Sequence, residues 1–239
     1  MLKPIGFQLT VNRSVSIGKQ RRSLMGMTST PGTATASTAT AGTATANAST
    51  TTPVSPTAPP RERLLDAAAK LFYREGVNVG VEALCRAAGV SKRSMYQFFT
   101  SKDDVLAASL ERAAPSYQNL MTPTADDRPP RARILHVFEQ LESVSGSPGY
   151  QGCPFVATAV ELKDPEHPAS VVARHFKDAL TGFFREEAQR AGAPDPELLA
   201  RQLTVVFDGS SARTVVQAQP LDGLAVATAT VLLDAAGVA

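Results

Sequence analysis

Hydrophobic side chains recur at helical spacing from Arg61 onward, and this pattern predicts a helix at once. Residues 61–76 place apolar side chains at i, i+1, i+4, i+7 and i+8, so that they share one face: Leu64, Leu65, Ala68, Leu71 and Phe72. Gly76 follows directly, as is typical of a helix end. We therefore predict a first helix that buries this face and ends at Gly76.

Three shorter helices are predicted next, each bounded by residues that favour helix ends. The second has an inner face of Val81, Leu84, Cys85 and Ala88, with Gly80 and Gly89 at the two cap positions. Ser91 caps a third helix, which carries Met95, Tyr96, Phe98 and Phe99. Ser101 caps a fourth, which carries Val105, Leu106 and Leu110. Pro115 lies in this fourth helix and predicts a kink or an early end.

Helical patterns continue to the end of the chain, broken by Pro and Gly. They cover about residues 130–143, 153–162, 167–191, 195–217 and 222–236. The alternation typical of strands is lacking, so the predicted fold class is all-α. Residues 27–60, by contrast, are dominated by Thr, Ala, Ser and Pro and cannot bury enough apolar surface to offset the entropy of ordering. Residues 1–59 are therefore predicted to be a disordered tail, and translation from Met25 or Met27 rather than Met1 stays open.

Charge is distributed unevenly along the 239 residues, although the net charge is only +2. Five bases and no acid precede Arg61; nine bases face seven acids from Arg61 to Arg112, and ten face fifteen thereafter. A basic front and an acidic rear suggest that the N-terminal part meets a polyanion. Two cysteines indicate a reducing compartment, and no apolar run approaches the roughly 20 residues that span a bilayer. We expect a cytoplasmic protein with no membrane partner.

Residues 81–99 have the outline of a helix-turn-helix, two short helices joined by a glycine turn. No acid occurs between Leu84 and Lys102, and the first turn of the second helix is the end expected to face bases in the major groove. Arg93 there is suited to guanine. Tyr96, Gln97 and Lys102 are suited to phosphates, and so are the amides at the start of the first helix. The predicted DNA-binding residues are Gly80, Val81, Arg86, Ser91, Lys92, Arg93, Ser94, Tyr96, Gln97 and Lys102.

Four short motifs follow one another in a familiar order. They are Leu71-Phe72 with Gly76, Ala88-Gly89-Val90-Ser91, Tyr96 with Phe99, and Ser101-Lys102-Asp103. Over about fifty residues this order resembles the DNA-binding domain of TetR-type transcriptional regulators. The chain departs from the family at four positions: Gly80 stands where Thr or Ser is usual, Gln97 where His is frequent, and Met95 where Leu is frequent, and Pro115 falls within a fourth helix that is normally long.

The resemblance implies a domain organisation and partners. Residues 60–114 would be the DNA-binding domain and residues 115–239 a helical domain that binds a small-molecule inducer and forms a homodimer. A Gly-Cys-x-Phe segment at residues 152–155 and an Asp-Pro-x-His-Pro segment at 164–168 are similar to one group of the family. The apolar stretch 224–238 and the helix at 203–217 suggest an isologous dimer through a four-helix contact.

The inducer site is predicted from physical character alone, since such sites are mostly apolar with a few polar groups. The candidates are Phe138, Cys153, Phe155, Thr158, Phe176, Phe207, Asp208 and Arg213. Cys153 is either a redox-sensing thiol or an inert buried one. The spacing of His136, Cys153 and His167 fits no recognised metal site, and no cofactor is expected.

The leading hypothesis is a sequence-specific transcriptional regulator, a ligand-relieved repressor that acts as a dimer on a palindromic double-stranded DNA operator. Two alternatives stay open: a ligand-independent architectural DNA-binding protein and a small helical enzyme. With three histidines and no recognisable catalytic spacing, the sequence offers nothing for the enzyme. The inducer, the operator, and repression as opposed to activation are not decided by the sequence.

Overall fold

The computed structural model describes residues 58–124 and 127–239, and the regular elements in these ranges are all helices. Their bounds are α1 Pro60–Glu75, α2 Val81–Ala88, α3 Lys92–Phe98, α4 Lys102–Met121, α5 Pro130–Ser145, α6 Pro154–Leu162, α7 Pro168–Arg190, α8 Pro196–Gln217 and α9 Leu224–Ala235. The all-α prediction is confirmed. The predicted disordered tail lies outside the described residues, apart from its last two positions.

Proline begins five of these helices: Pro60, Pro130, Pro154, Pro168 and Pro196 each occupy the first position. The ring presets a helical φ, and the missing N–H is one that has no partner within the helix in any case. The prolines that interrupt the hydrophobic pattern therefore mark helix starts.

The α1–α4 part buries the helix faces that the sequence predicts, with differences at single residues. Leu64, Leu84, Met95, Val105 and Leu106 are almost completely buried. Ser91 caps α3 by accepting from the Ser94 amide, and Ser101 forms a capping box with Asp104 at the start of α4. The spacing arguments thus gave the correct faces, except that Ala67 is buried and that Leu71 and Val81 are only partly so.

Helix α4 continues through Pro115 to Met121, so the first of the two expected outcomes, an early end, is wrong, and the kink stays a prediction. Pro115 has no N–H to donate to the carbonyl of Glu111. Both residues are exposed, where water can satisfy that carbonyl. The predicted domain boundary between residues 114 and 115 falls inside this helix, and the division into 60–114 and 115–239 stays a prediction.

Helix α7 is the centre of the C-terminal part and packs against α4, α5, α6 and α8. Arg133 of α5 donates to the buried Glu187 of α7 at 2.8 Å. Glu142 of α5 accepts three amides at the start of α9, from Gly223, Ala225 and Val226. Charge pairing and capping therefore fix α5 against both neighbours. Across residues 58–124 and 127–239, no helix is long and apolar enough to cross a membrane.

Candidate nucleic-acid interface and ligand groove

The turn between α2 and α3 is built on Gly89, which adopts left-handed backbone angles of φ 61° and ψ 39°. In this conformation the amide of Val90 donates to the carbonyl of Cys85 at 3.0 Å and closes the end of α2. Nothing lies within 4 Å of the position that a Cβ on Gly89 would take. The glycine is therefore required by backbone conformation and not by crowding.

Contacts from α1 hold this turn and the base of α3. Arg63 donates to the Gly89 carbonyl at 3.1 Å, and the Arg61 guanidinium lies 5.3 Å from the centroid of the Phe99 ring. Inside, the Cys85 and Met95 sulfurs are 4.0 Å apart. Phe99 is buried, whereas Tyr96 is 54% exposed. The second helix of the motif is thus anchored by one face and presents the other to solvent.

The exposed face carries most of the predicted DNA-binding residues. Gly80, Arg86, Ser91, Lys92, Arg93, Tyr96 and Gln97 are exposed, while Val81, Ser94 and Lys102 are partly buried. Within the described ranges, neither Arg86 nor Arg93 has a hydrogen bond or an ion pair. Both guanidinium groups therefore face solvent, although Glu82, one turn earlier on α2, attracts Arg86.

Lys92, by contrast, pairs with Glu82 of α2. The hydrogen bond between them raises the pKa of Lys92 and lowers the pKa of Glu82. Both side chains are well exposed, so solvent screens the attraction. The sequence did not indicate this contact, because Glu82 lies just before the acid-free segment that begins at Leu84.

Lys102 has a structural contact that the sequence did not indicate. Its ammonium donates to the carbonyl of Val77, in the loop between α1 and α2, at 2.8 Å. The amide of Val77 donates in turn to Glu161 of α6 at 3.0 Å. The loop before α2 is therefore held from two sides, by α4 and by α6.

Two residues that sequence reasoning missed, Tyr73 and Glu161, connect α1 with both ends of α6. The Tyr73 hydroxyl donates to the Gly152 carbonyl at 3.1 Å and accepts from the Gln151 amide at 2.8 Å. Glu161 also accepts from the Asn78 side chain at 3.4 Å. These partners are about eighty positions apart, and no local sequence signal could have paired them.

The predicted pocket residues divide into several groups. Phe155 and Phe176 stack at 3.9 Å between centroids, and Tyr117 meets both edge-on. Lys177 lies 4.5 Å from the Phe207 ring and pairs with Asp208. Cys153 is fully buried, and this burial raises the pKa of its thiol, which favours the inert alternative.

The remaining candidates lie elsewhere. Phe138 stacks on Phe184 between α5 and α7. Thr158 lines a cavity of about 190 Å³ between α1, α4 and α6. Arg213 is exposed on α8. Only Phe155 among the eight predicted residues lines the larger concavity, a groove of about 390 Å³ between α6 and α7. We call it the α6–α7 groove.

The groove has an apolar interior and a charged rim. Its lining residues are Phe155, Val156, Ala159, Val160, Lys163, Asp164, Pro165, Ser170, Ala173, Arg174 and Lys177. A volume of this size suits a small organic molecule. In the part of the chain that the structure describes, no three His, Cys, Asp or Glu side chains converge as metal ligands would.

Known proteins resemble this chain over most of its length. A family model described as bacterial regulatory proteins, tetR family, matches residues 64–109. The crystal structure of sav143 from Streptomyces avermitilis MA-4680, assigned as a TetR transcriptional regulator, is 59% identical with a TM-score of 0.74, covering 76% of this chain and 100% of that one.

Two further proteins extend the comparison. SCO4454, a TetR-family transcriptional regulator from Streptomyces coelicolor, is 25% identical with a TM-score of 0.65, covering 74% of this chain and 93% of that one. The HTH-type transcriptional regulator YjdC of Escherichia coli K12 is 25% identical over 170 residues, 68% of this chain and 86% of YjdC. The likeness therefore extends well beyond the helix-turn-helix.

Proposed function

Since the chain belongs to the TetR family of transcriptional regulators, we propose that it is a cytoplasmic, ligand-relieved repressor that binds a palindromic operator as a homodimer. The observation that carries this proposal is the exposed face of α2 and α3, on which Arg86 and Arg93 make no hydrogen bond or ion pair with any residue that the structure describes. A duplex supplies the missing negative charge, and counterion release drives the association.

Arg93 is the proposed base reader. It lies in the first turn of α3, the end that a helix-turn-helix points into the major groove. Its guanidinium can donate two hydrogen bonds to O6 and N7 of guanine, a pairing worth roughly 1–3 kcal/mol against a wrong base. The same exposed face carries Arg86, Tyr96 and Gln97, whose side chains can donate to phosphates.

The start of α2 supports a further phosphate contact. Gly80 gives no side-chain cap. The Ala83 amide donates to the Gly80 carbonyl at 3.0 Å, which leaves the amides of Val81 and Glu82 to face a phosphate. Glu82 in the same turn opposes an anion there, and its pairing with Lys92 reduces that opposition. We propose that Lys92 leaves Glu82 and contacts a phosphate of the duplex when DNA binds.

Two exposed apolar stripes support the homodimer. On α8 the stripe contains Leu198, Val205 and Val216, and on α9 it contains Leu224 and Val231. Val205, Val216 and Val231 are 70%, 76% and 65% exposed. Two copies of each helix pressed together would bury these side chains in a four-helix contact with two-fold symmetry. The two α3 helices would then reach half-sites about 34–36 Å apart or a multiple of this.

Helix α6 offers the route by which a ligand would relieve repression. One face of α6 lines the α6–α7 groove, and the opposite face carries Glu161, which accepts from Val77 before α2. A ligand that displaces α6 would move this attachment and the Tyr73 attachment at Gly152. Relief requires that the ligand prefer the displaced state, since equal affinity for both states shifts nothing.

Selection of binding sites from random double-stranded DNA with the full chain tests the proposal. Enrichment of a palindrome with two half-sites is expected. Binding without enrichment, reduced by salt for every sequence alike, would exclude an operator-specific regulator and favour the architectural alternative. The α6–α7 groove favours the ligand-relieved repressor over that alternative, because it offers a small molecule a partly apolar site between two helices.

A further inference from the structure

The interior of the α6–α7 groove is apolar on both helices. Phe155 and Ala173 are almost completely buried at its base, and Val156 and Ala159 of α6 complete the apolar wall. The Phe155 ring is fixed by its stack on Phe176. A rigid aromatic surface of this kind accommodates a flat or branched hydrocarbon body.

A buried hydroxyl in the groove lacks a partner. Ser170 is 6% exposed, and its Oγ makes no hydrogen bond to any residue that the structure describes. An unpaired buried polar atom destabilises the fold, so a ligand that bonds to it gains an interaction that the chain itself does not provide. Ser170 therefore gives the groove a polar point within apolar surroundings.

The charged groups around this hydroxyl are mostly cations. Lys163 and Arg174 line the groove and have no ion pair within the described ranges, while Asp164 is the one acid in the lining. Lys177 lines it as well, but its ammonium pairs with Asp208 of α8. Arg174 is therefore the cation of the lining that is best placed to meet a ligand.

We propose that the α6–α7 groove binds a small organic acid with one carboxylate and a compact aromatic or branched apolar body. This inference rests on the proposed function. The body lies against Val156 and Ala159, above the buried Phe155 and Ala173. The carboxylate accepts from Ser170 and is held by Arg174 at the rim. A fork of two N–H groups on Arg174 matches a carboxylate better than it matches a neutral amide.

Calorimetric titration of the full chain with three carboxylates and their neutral amides tests this inference. The probes are benzoate, 1-naphthoate and isovalerate, each compared with its primary carboxamide, and benzylamine serves as a cation. At least one carboxylate is expected to bind at least about tenfold more tightly than its amide. Failure of all three acids, or a preference for an amide or for benzylamine, would overturn the proposal.

Variants locate the binding. Arg174→Gln is expected to weaken the carboxylate about tenfold without changing amide binding, and Ser170→Ala is expected to weaken the carboxylate about fivefold. Arg185→Gln removes the same charge from α7 outside the groove and should change nothing. Equal losses in Arg174→Gln and Arg185→Gln would mean that the acid responds only to overall charge, and the site would be wrong.

Operator binding is measured separately, so that this inference and the proposed function can fail independently. Carboxylate binding without any effect on a selected operator would retain the site and remove its regulatory role. Carboxylate binding by a protein that selects no operator would retain the site and remove the operator-specific regulator. Release of the operator by the acid but not by its amide supports both.

Discussion

The exposed face of the helix-turn-helix and the wall of the α6–α7 groove both present cations, but they hold them differently. Arg86 and Arg93 are exposed and make no hydrogen bond or ion pair in the described part of the chain. Lys177 has a buried ammonium that faces Asp208 and the Phe207 ring. A surface cation is solvated until DNA arrives, whereas a cation in the interior must be neutralised even when no ligand is bound.

Lys92 and Lys102 lie between these two extremes. Lys92 is paired with Glu82 on the surface, and Lys102 donates to a backbone carbonyl. Counting bases along the sequence treats all four cations of this region as equal. Their partners in the structure separate cations that are ready for DNA from cations that are already engaged.

The largest expected effect comes from removing the counter-charge in the interior. Asp208→Asn leaves the ammonium of Lys177 buried with no opposite charge. Removing one partner of a buried ion pair costs roughly 3–5 kcal/mol in the free energy of unfolding. Because Asp208 is partly exposed, we expect a loss at the lower end, about 3 kcal/mol. Urea unfolding measures this loss.

Two controls sharpen that prediction. Arg93→Ala should leave the free energy of unfolding within about 0.5 kcal/mol of the parent, since its side chain is exposed. The double variant Lys177→Met with Asp208→Leu should recover most of the loss, because apolar replacements of a buried pair are often neutral. An Asp208→Asn protein as stable as the parent would remove the contrast between the two regions.

Arg93→Ala is expected to lower affinity for the selected operator by about 2 kcal/mol, roughly thirtyfold, and to relax preference at one or two base pairs. Binding titrations on operator and on random DNA measure both quantities. Arg185→Ala is the matched control away from the motif. If operator and random DNA lost affinity equally, Arg93 would contact phosphate and not a base.

Lys102→Met separates two roles for one side chain. If Lys102 contacts a phosphate, the substitution should weaken binding to all sequences and flatten the dependence of log K on log salt by about one unit. The hydrogen bond to Val77 favours the other outcome, a loss of about 1 kcal/mol in stability with an unchanged salt slope. Urea unfolding and a salt titration, made on the same variant, distinguish the two.

The α1–α4 part was largely predictable because its information is local. Gly89 must take a left-handed conformation, Ser91 and Ser101 must cap, and the apolar spacing fixes which faces are buried. The prolines of the C-terminal part likewise predicted helix boundaries. Pro115 was the exception, since a proline within a long helix is tolerated when the freed carbonyl faces water.

The groove could not be predicted because it depends on which helices meet. Phe155 was chosen for its type, and so were Phe138 and Arg213, yet only Phe155 lines the groove. Ser170 and Arg174 carry no sequence signal that separates them from other helix residues. Tyr73 and Glu161 likewise acquire their roles only when α1 and α6 come together.

Glu82→Gln tests whether the Lys92 pair restrains DNA binding. Removing the carboxylate frees Lys92 and deletes a charge that repels phosphate, so affinity for operator and random DNA should rise about twofold at low salt, with the gain declining as salt screens it. Glu186→Gln makes the same charge change on α7 and should have no effect.

The opposite result from Glu82→Gln would be equally informative. A loss of operator affinity alone would mean that Glu82 orients Lys92 for a base contact, and Lys92 would then join Arg93 as a reader of sequence. The pair would be a positioning device and not a restraint. The contrast between free and engaged cations would then hold only for the arginines.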